Sequence, residues 1–379
     1  MRNVVIAGYA RSPFTYANKG GFTKIRPDDL AAQVVKGLVE KSGIRVEDIE
    51  DLIVGCAFPE GEQGLNVARL IGFIADLPIA MAGVTVNRFC GSSMQAIHMA
   101  AGAIQMNAGE VFLCAGVESM TRVPLPGFNP VLNPALYESY PEAYISMGET
   151  AERVAARYDI SRDDQDAFAV ASHKKAHAAQ ADGRFQDEIV PILTKEGTVA
   201  KDGCIRPDTT REALAALKPA FDQEGSVTAG TSSPLTDGAA AVLVCSEAYA
   251  EKAGLVPLAR IKSIAVSGCQ PEIMGIGPVG ATRKALERAG LGIGDLDLIE
   301  LNEAFASQSL ASIRELGCDA ATVNLDGGAI AIGHPLGATG ARITGKAAQL
   351  LQREGGRFAL ATQCIGGGQG IATVLEAVR

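Results

Sequence analysis

KSGIRVEDIEDLIVGCAF (41–58) and RAGLGIGDLDLIELNEAF (288–305) are two copies of one sequence pattern, 247 residues apart. At the same spacing, EVFLCAGVE (110–118) matches RFALATQCI (357–365), and both are short apolar runs that follow an amphipathic helical segment. Internal similarity over such a length is typical of a duplicated structural unit. The sequence therefore predicts two similar halves.

Strand-like and helix-like segments alternate within each half, which indicates an α/β fold with a largely parallel sheet covered by helices. In the first half, the predicted strands are NVVIAGY (3–9), DLIVGCAF (51–58), GVTVNR (83–88) and EVFLCAGVE, and the predicted helices are 27–42, 66–75 and 92–107.

The segment between the halves has no counterpart in the repeat. It contains the proline-rich VPLPGFNPVLNP (123–134) and a charged helical stretch from Ser161 to Ala181. We predict an N-terminal half over 1–118 that is completed by about 233–256, an inserted loop domain over 119–232 that shapes a binding site, and a C-terminal half over 257–379.

Composition excludes some classes of partner. A formal charge of −9 and a pI near 5.1 argue against nucleic acid or an anionic membrane as the main partner, because both favour basic surfaces. The longest apolar run, 70–86, includes Asp76 and Pro78, so we predict no membrane span. Neither a signal core nor a peroxisomal SKL end is present, and we expect a cytoplasmic protein.

The eight cysteines are never closer than 24 residues apart, which is typical of neither a disulfide framework nor a zinc site. One of them, Cys90, lies in VTVNRFCGSSMQAIHMAAGAIQM (84–106), where a strand gives way to a helix. A thiol at a helix start faces the positive end of the helix dipole and free backbone N–H groups, which lower its pKa and favour the nucleophilic thiolate. The alternative is a buried structural cysteine.

His334 lies in the glycine-rich NLDGGAIAIGHPLGATGAR (324–342) of the second half. Gly337, three residues further on, matches Cys90 at the repeat spacing. Two halves packed about a pseudo-twofold axis would bring these turns together, and the imidazole could then take the thiol proton. A histidine that only caps a helix is the alternative.

Two more strand ends carry reactive groups. Cys364 precedes glycines in ATQCIGGGQG (361–370) and is a candidate acid or base, while LNEAFA (301–306) offers the Asn302 amide and a carboxylate that can hold a water. Because ligands of α/β sheets bind beyond the carboxyl ends of strands, we expect these four segments to converge on one site.

Three other patterns are not interpreted as sites. GARITGKA (340–347) has Ala347 where a phosphate loop needs Ser or Thr, and CIGGGQG fails the dinucleotide-binding spacing. His173 and His177 are four residues apart on a polar helix without a nearby third ligand, which favours a solvated helix over a metal site. We predict no metal.

Together, NRFCGSSMQAI, VTAGTSSPLTDGAAA, NEAF, GGAIAIGHPLGATGAR and CIGGGQG resemble the thiolase family, in order and over essentially the whole chain. The resemblance implies a layered α-β-α-β-α core. It also implies that Cys90 takes an acyl group, His334 activates it, and Cys364 moves the proton of the second substrate. Asn302 would hold a water that forms one oxyanion hole with His334, and the N–H groups of Cys90 and Gly366 would form the other.

The resemblance further implies coenzyme A (CoA) as substrate, with no cofactor. Arg206 in IRPDTT would lie near the nucleotide. Ala229 and Ser233 would lie along the pantetheine. The residues implied for the tunnel wall are Phe221, Met147, Ala304 and Phe305. Family members form homodimers or homotetramers, and some bind a multifunctional β-oxidation subunit.

The expected reaction is CoA-dependent cleavage of a 3-ketoacyl-CoA to acetyl-CoA and a shortened acyl-CoA in fatty-acid β-oxidation. One alternative is condensation to acetoacetyl-CoA, and a more distant one is a non-catalytic CoA- or lipid-binding relative. Ser146 replaces the histidine of many short-chain members, and TSSPL (231–235) resembles the bacterial β-oxidation subunit. Asp326 replaces a usual asparagine. Acyl length and direction are left open.

Overall fold

A computed structural model describes residues 2–378 as twelve strands and twelve helices. The strands are β1 (Val4–Arg11), β2 (Thr15–Tyr16), β3 (Asp51–Gly55), β4 (Ala82–Val86), β5 (Val111–Ser119), β6 (Ile192–Thr194), β7 (Gly197–Val199), β8 (Thr236–Ser246), β9 (Ala259–Gly268), β10 (Leu298–Leu301), β11 (Phe358–Ile365) and β12 (Gln369–Glu376).

The helices are α1 (Pro27–Ser42), α2 (Val67–Ile74), α3 (Ser92–Gln105), α4 (Pro134–Ser139), α5 (Met147–Arg157), α6 (Arg162–Ala181), α7 (Arg211–Ala215), α8 (Glu247–Ala253), α9 (Gly277–Ala289), α10 (Ala306–Leu316), α11 (Ala329–Ile332) and α12 (Leu336–Glu354). None of these helices in the described part of the chain is both long and apolar enough to cross a membrane.

The two halves repeat the same strand order. In the first half, the order is β4-β3-β5-β8-β1, and in the second β10-β11-β12-β9, with Val323 bridged to Ile299 in the place that β4 takes beside β3. The halves join where β1 meets β9 through the pairs Val5–Arg260 and Ile6–Ala259. The prediction of two repeated α/β halves is therefore confirmed.

The sheet is more mixed than the alternation of elements predicts. β3 runs parallel to β4 and β5, and β10 to β11, but β8, β1, β12 and β9 join antiparallel to their neighbours. The turn Gly366–Gly368 between β11 and β12 is too short for a crossover, so it forces an antiparallel pair. The prediction of a largely parallel sheet is therefore wrong for these four strands, which lie at the centre of the strand order.

Helix ends in the two halves are also equivalent. Pro27 begins α1, two aspartates follow in its first turn, and Gly43 ends it in the left-handed conformation with φ +67°. Gly290, its match in the repeat, ends α9 with φ +69°. A side chain at either position would be strained, which explains why glycine occurs in both copies.

Three buried apolar clusters pack five layers of structure, α-β-α-β-α. One lies under α1 and α2 on the outer face of the first half, and one lies under α9 on that of the second. The third surrounds α3 and α12, which lie together between the strands of the two halves. The central helices touch where Ser93 Oγ accepts a bond of 2.8 Å from Ala341 N–H. Gly340 faces the backbone of Met94 there, and a Cβ at 340 would overlap that backbone. This contact brings the starts of α3 and α12 together.

Between β5 and β8, the chain forms α4 to α7 and the β6–β7 hairpin. A chain of buried charges ties this segment to both halves. Arg11 pairs with Asp202 and Glu188 at 2.7 Å each, Glu188 with Lys346 at 2.9 Å, and Lys346 with Asp326 at 2.7 Å. All five side chains are at most 3% exposed. Because every buried charge has an opposite partner, none bears the full cost of isolation.

Asp326 should therefore stabilise the fold through its charge. Replacing Asp326 with asparagine should lower the free energy of unfolding by about 3 kcal/mol at neutral pH, because Lys346 and Arg353 lose a buried carboxylate. Burial raises the pKa of Asp326, but hydrogen bonds from Arg353 and Lys346 outweigh it and hold that pKa at about 2. The difference between the proteins should be full above pH ~4, where the unfolded aspartate is ionised, and shrink as the pH falls to about 2.

Urea unfolding at several pH values measures this difference. Glu196→Gln is the matched control, because it removes a partner of Lys24 at an exposed pair and should change stability little. Equal losses in the two variants, or a difference that does not depend on pH, would contradict a buried role for the Asp326 charge.

Candidate active site

Cys90 lies at the predicted junction, after β4 and two residues before α3. Its side chain is 9% exposed, and Phe89 before it adopts φ +42°, which turns the chain sharply into the helix. The N–H groups of Cys90 and Gly366 point at the Cys90 sulfur. Gln363 donates a hydrogen bond to the Cys90 carbonyl. The second half thus holds the Cys90 turn on two sides.

The resting thiol of Cys90 is protonated. Burial raises its pKa to about 12, and the nearby Glu118 adds to the rise, although the N–H groups of Gly366 and Cys90 oppose it. The prediction of a lowered pKa is wrong, because the helix start is buried and desolvation of the thiolate exceeds the stabilisation by N–H groups. The thiol therefore needs a base at the moment of attack.

His334 provides a neutral imidazole in the turn between α11 and α12. Its Nδ1 lies 2.6 Å from Thr339 Oγ1, and that hydroxyl donates to the Pro335 carbonyl at 3.1 Å. Because the hydroxyl proton is used, Nδ1 carries the ring proton and Nε2 is the nitrogen with the lone pair. Burial, followed by the charge of Arg342, lowers the pKa of His334 to about 3. Nε2 is therefore available as a base.

Asn302 follows β10 and faces this lone pair. Its Nδ2 lies 3.4 Å from His334 Nε2, and its backbone N–H donates to the Thr362 carbonyl at 3.0 Å. Its Oδ1 is buried and has no hydrogen-bond partner among residues 2–378. A buried amide oxygen without a partner indicates a place for a bound water or substrate group.

Cys364 lies at the end of β11, opposite Gly370 in the hairpin with β12. Burial raises the pKa of its thiol well above the usual value, and the neighbouring Cys90 raises it further. The two sulfurs therefore share one environment, although their residues come from different halves. A protonated Cys364 can act as an acid there.

Glu118 is a residue that sequence analysis missed. It is buried at the end of β5 and accepts hydrogen bonds from Ala57 N–H at 2.8 Å, Gly337 N–H at 2.9 Å and Gln63 Nε2 at 2.8 Å. It links the Cys90 half to the helix that follows His334. The signal was present, since a carboxylate ends the strand-like run 110–118 that matches the one carrying Cys364.

Most residues expected along the CoA ligand lie beside Cys364. Ala304, Phe305 and Met147 pack in one cluster with it, and Phe221 meets the Phe305 ring edge-on at 5.9 Å. Ser233 N–H donates to the Ala304 carbonyl at 2.9 Å, and Ala229 is exposed in the preceding turn.

Arg206 lies outside this cluster, against α6. His173 on that helix is 1% exposed and touches Arg206, whereas His177 is exposed. The interpretation of both histidines as part of a solvated face is thus wrong for His173, because the insert folds back over it. Within residues 2–378, no three His, Cys, Asp or Glu side chains are grouped as a metal site. The sequence GARITGKA lies inside α12.

Comparisons with known proteins agree over the whole chain. Residues 4–248 match the family model described as "Thiolase, N-terminal domain", and residues 255–377 match "Thiolase, C-terminal domain". A 3-ketoacyl-CoA thiolase of Bacillus subtilis is 48% identical over 99% of this chain and 100% of its own. One from a Marinomonas species is 49% identical over 99% and 98%.

Two solved structures are also similar over the full length of the chain. The Bacillus anthracis acetyl-CoA acetyltransferase has a TM-score of 0.93 at 40% identity, and human mitochondrial 3-ketoacyl-CoA thiolase has 0.93 at 38%. Each match covers 100% of this chain and 99% of the other.

Proposed function

The chain belongs to the thiolase family, and on that premise we propose that it is a 3-ketoacyl-CoA thiolase that transfers an acyl group to CoA through Cys90. The observation that carries the proposal is that two buried thiols share one environment beside the N–H of Gly366. Cys90 comes from the first half of the chain and Cys364 from the second. Relatives with that name match the full chain at 48% to 49% identity.

In the first half-reaction, His334 Nε2 takes the Cys90 proton, and the sulfur attacks the keto carbon. The N–H groups of Cys90 and Gly366 point at the sulfur in the resting site, and they would donate to the oxyanion on the carbon that becomes bonded to that sulfur. The bond between the α and keto carbons then breaks, and its electron pair forms the enolate of acetyl-CoA. Cys364 protonates that carbon, and acetyl-CoA leaves. The shortened acyl group remains bound to Cys90 as a thioester.

Asn302 and His334 would stabilise the enolate oxygen. The free Asn302 Oδ1 and the adjacent Nε2 fit a water held between them, with the newly protonated His334 as the donor. In the second half-reaction, the Cys364 thiolate takes the proton of CoA, and the CoA sulfur attacks the acyl-Cys90 carbonyl. The Cys90 thiolate leaves and recovers its proton from His334. No metal or further cofactor enters this scheme.

A second candidate, the acetyl-CoA acetyltransferase that makes acetoacetyl-CoA, is favoured by the similarity to the Bacillus anthracis structure. The residue at position 146 argues against this candidate, because Ser146 replaces the histidine of many short-chain members. Its hydroxyl donates to Glu149 at 2.7 Å and accepts from the Glu149 N–H, so it is used as the cap of α5. Met147, which packs beside Cys364, is left as the wall of the acyl site.

Thiolysis of acetoacetyl-CoA and of medium- and long-chain 3-ketoacyl-CoAs separates these functions. We expect cleavage of longer substrates with catalytic efficiency at least equal to that of acetoacetyl-CoA. A rate confined to acetoacetyl-CoA would assign the acetyltransferase function. A protein that binds CoA and cleaves nothing would be the non-catalytic relative.

We further propose a homodimer that assembles at the free edge of β4. This strand ends the sheet order, and Leu65, Ile79 and Met106 are exposed large apolar residues. Light scattering during gel filtration measures the mass. A monomer at micromolar concentration would contradict the dimer, and twice the dimer mass would indicate a homotetramer. A multifunctional β-oxidation partner and a cytoplasmic location remain proposals from the sequence.

A further inference from the structure

One turn of α6 contacts both the proposed catalytic region and Arg206. Ser172 Oγ donates to Glu303 Oε2 at 2.6 Å, next to Asn302. The following residue, His173, accepts from the Arg206 backbone N–H at its Nδ1, over 3.2 Å, and its Nε2 lies 3.2 Å from Arg206 Nη2. The buried His173 ring thus contacts the exposed Arg206 at two points, once at its backbone N–H and once at its guanidinium.

The two contacts cannot both be hydrogen bonds. A neutral imidazole has one N–H and one lone pair, whereas both Arg206 groups are donors. If Nδ1 accepts from the backbone N–H, the ring proton lies on Nε2 and faces a guanidinium N–H. Burial lowers the pKa of His173 to about 4, and the charge of Arg206 adds to this, so the ring is neutral near pH 7.

Arg206 also has no acidic partner within residues 2–378. Two other arginines of the insert do have acidic partners, Arg184 with Asp182 at 2.9 Å and Arg211 with Asp163 at 3.3 Å. A guanidinium that remains unpaired in a chain of net charge −9, and that faces a donor on its protein side, is available to an anion from solution. Phosphate binds this geometry well.

We propose that His173 is a positioning residue for the phosphate end of CoA. Its Nδ1 fixes the backbone of Arg206, and its Nε2–H leaves the guanidinium without an internal acceptor, so that the nucleotide phosphate becomes its partner. This inference rests on the proposed function, because it takes CoA as the ligand. It gives the buried histidine of α6 a role at the end of the substrate remote from Cys90.

The test compares CoA with pantetheine, which lacks the nucleotide, as acyl acceptors in thiolysis. His173→Leu removes both ring nitrogens and should raise the KM for CoA about tenfold, while kcat and the KM for pantetheine stay within about twofold. His173→Asn keeps an acceptor near the Nδ1 position and should restore the KM for CoA. Adding His173→Leu to Arg206→Gln should have no further effect.

A KM that rises equally for both acceptors, an unchanged KM in His173→Leu, or a failure of His173→Asn to restore binding would overturn the inference. Calorimetric titration of each variant with CoA gives the same comparison without turnover. An inactive protein whose CoA affinity still depends on His173 would contradict the proposed function alone.

Discussion

Replacement of Cys90 by serine should lower the rate of 3-ketoacyl-CoA thiolysis by about four orders of magnitude. A hydroxyl is a much weaker nucleophile than a thiol, and it is also a weaker acid, so His334 removes its proton less readily than that of the thiol. The side chains are similar in size, so the buried turn should keep its structure. Steady-state kinetics and the unfolding midpoint of the same preparation measure both effects.

Cys114→Ser is the matched control for this substitution. Cys114 is also buried, and its thiol donates to the Ala96 carbonyl of α3, a bond that a serine hydroxyl can also make. Its rate should stay within about threefold of the wild type. If Cys90→Ser retained a tenth of the wild-type rate, or if both variants lost activity equally, Cys90 would not be the nucleophile.

Replacement of His334 by asparagine should lower the rate about a thousandfold at pH 7.5, which is within the range for loss of a general base. Burial raises the pKa of Cys90 to about 12, so very little thiolate exists without a base. The residual rate of the variant should therefore rise about tenfold for each pH unit below that pKa, because hydroxide replaces the imidazole. The wild type should not show this slope.

A pH–rate profile from 7 to 9 tests the role of His334, with the exposed His177→Gln on α6 as a control that should match the wild type. A variant that loses activity but shows no increase with pH would indicate that His334 only supports the structure. Activity within tenfold of the wild type would exclude it as the base.

The repeat at a spacing of 247 residues was sufficient to predict two α/β halves, because residues that match in the repeat occupy equivalent positions in the secondary structure of the two halves. Gly43 and Gly290 end equivalent helices, and Cys90 and Gly337 lie next to the starts of α3 and α12. The antiparallel strands β8 and β12 were not predictable from alternation, because their direction depends on the return path of the insert and on one tight glycine turn.

Within the site, residue types and strand ends were predictable, but their environment was not. Helix position suggested a lowered pKa for Cys90, whereas its raised pKa follows from burial that only the packing of Gly366 and Gln363 against it reveals. Likewise, the sequence around His173 is polar, and its burial arises from residues distant in the chain. Desolvation depends on tertiary packing, which local sequence patterns do not encode.

The most direct test of the proposed mechanism is mass spectrometry of the protein after incubation with acetyl-CoA and an acid quench. We expect one acetyl group per chain, located by peptide mapping on Cys90, with release of free CoA and no adduct in Cys90→Ser. An acetyl group on Cys364 instead, or an active protein that never acquires an acyl mass, would contradict the assignment of Cys90 as the residue that carries the acyl group.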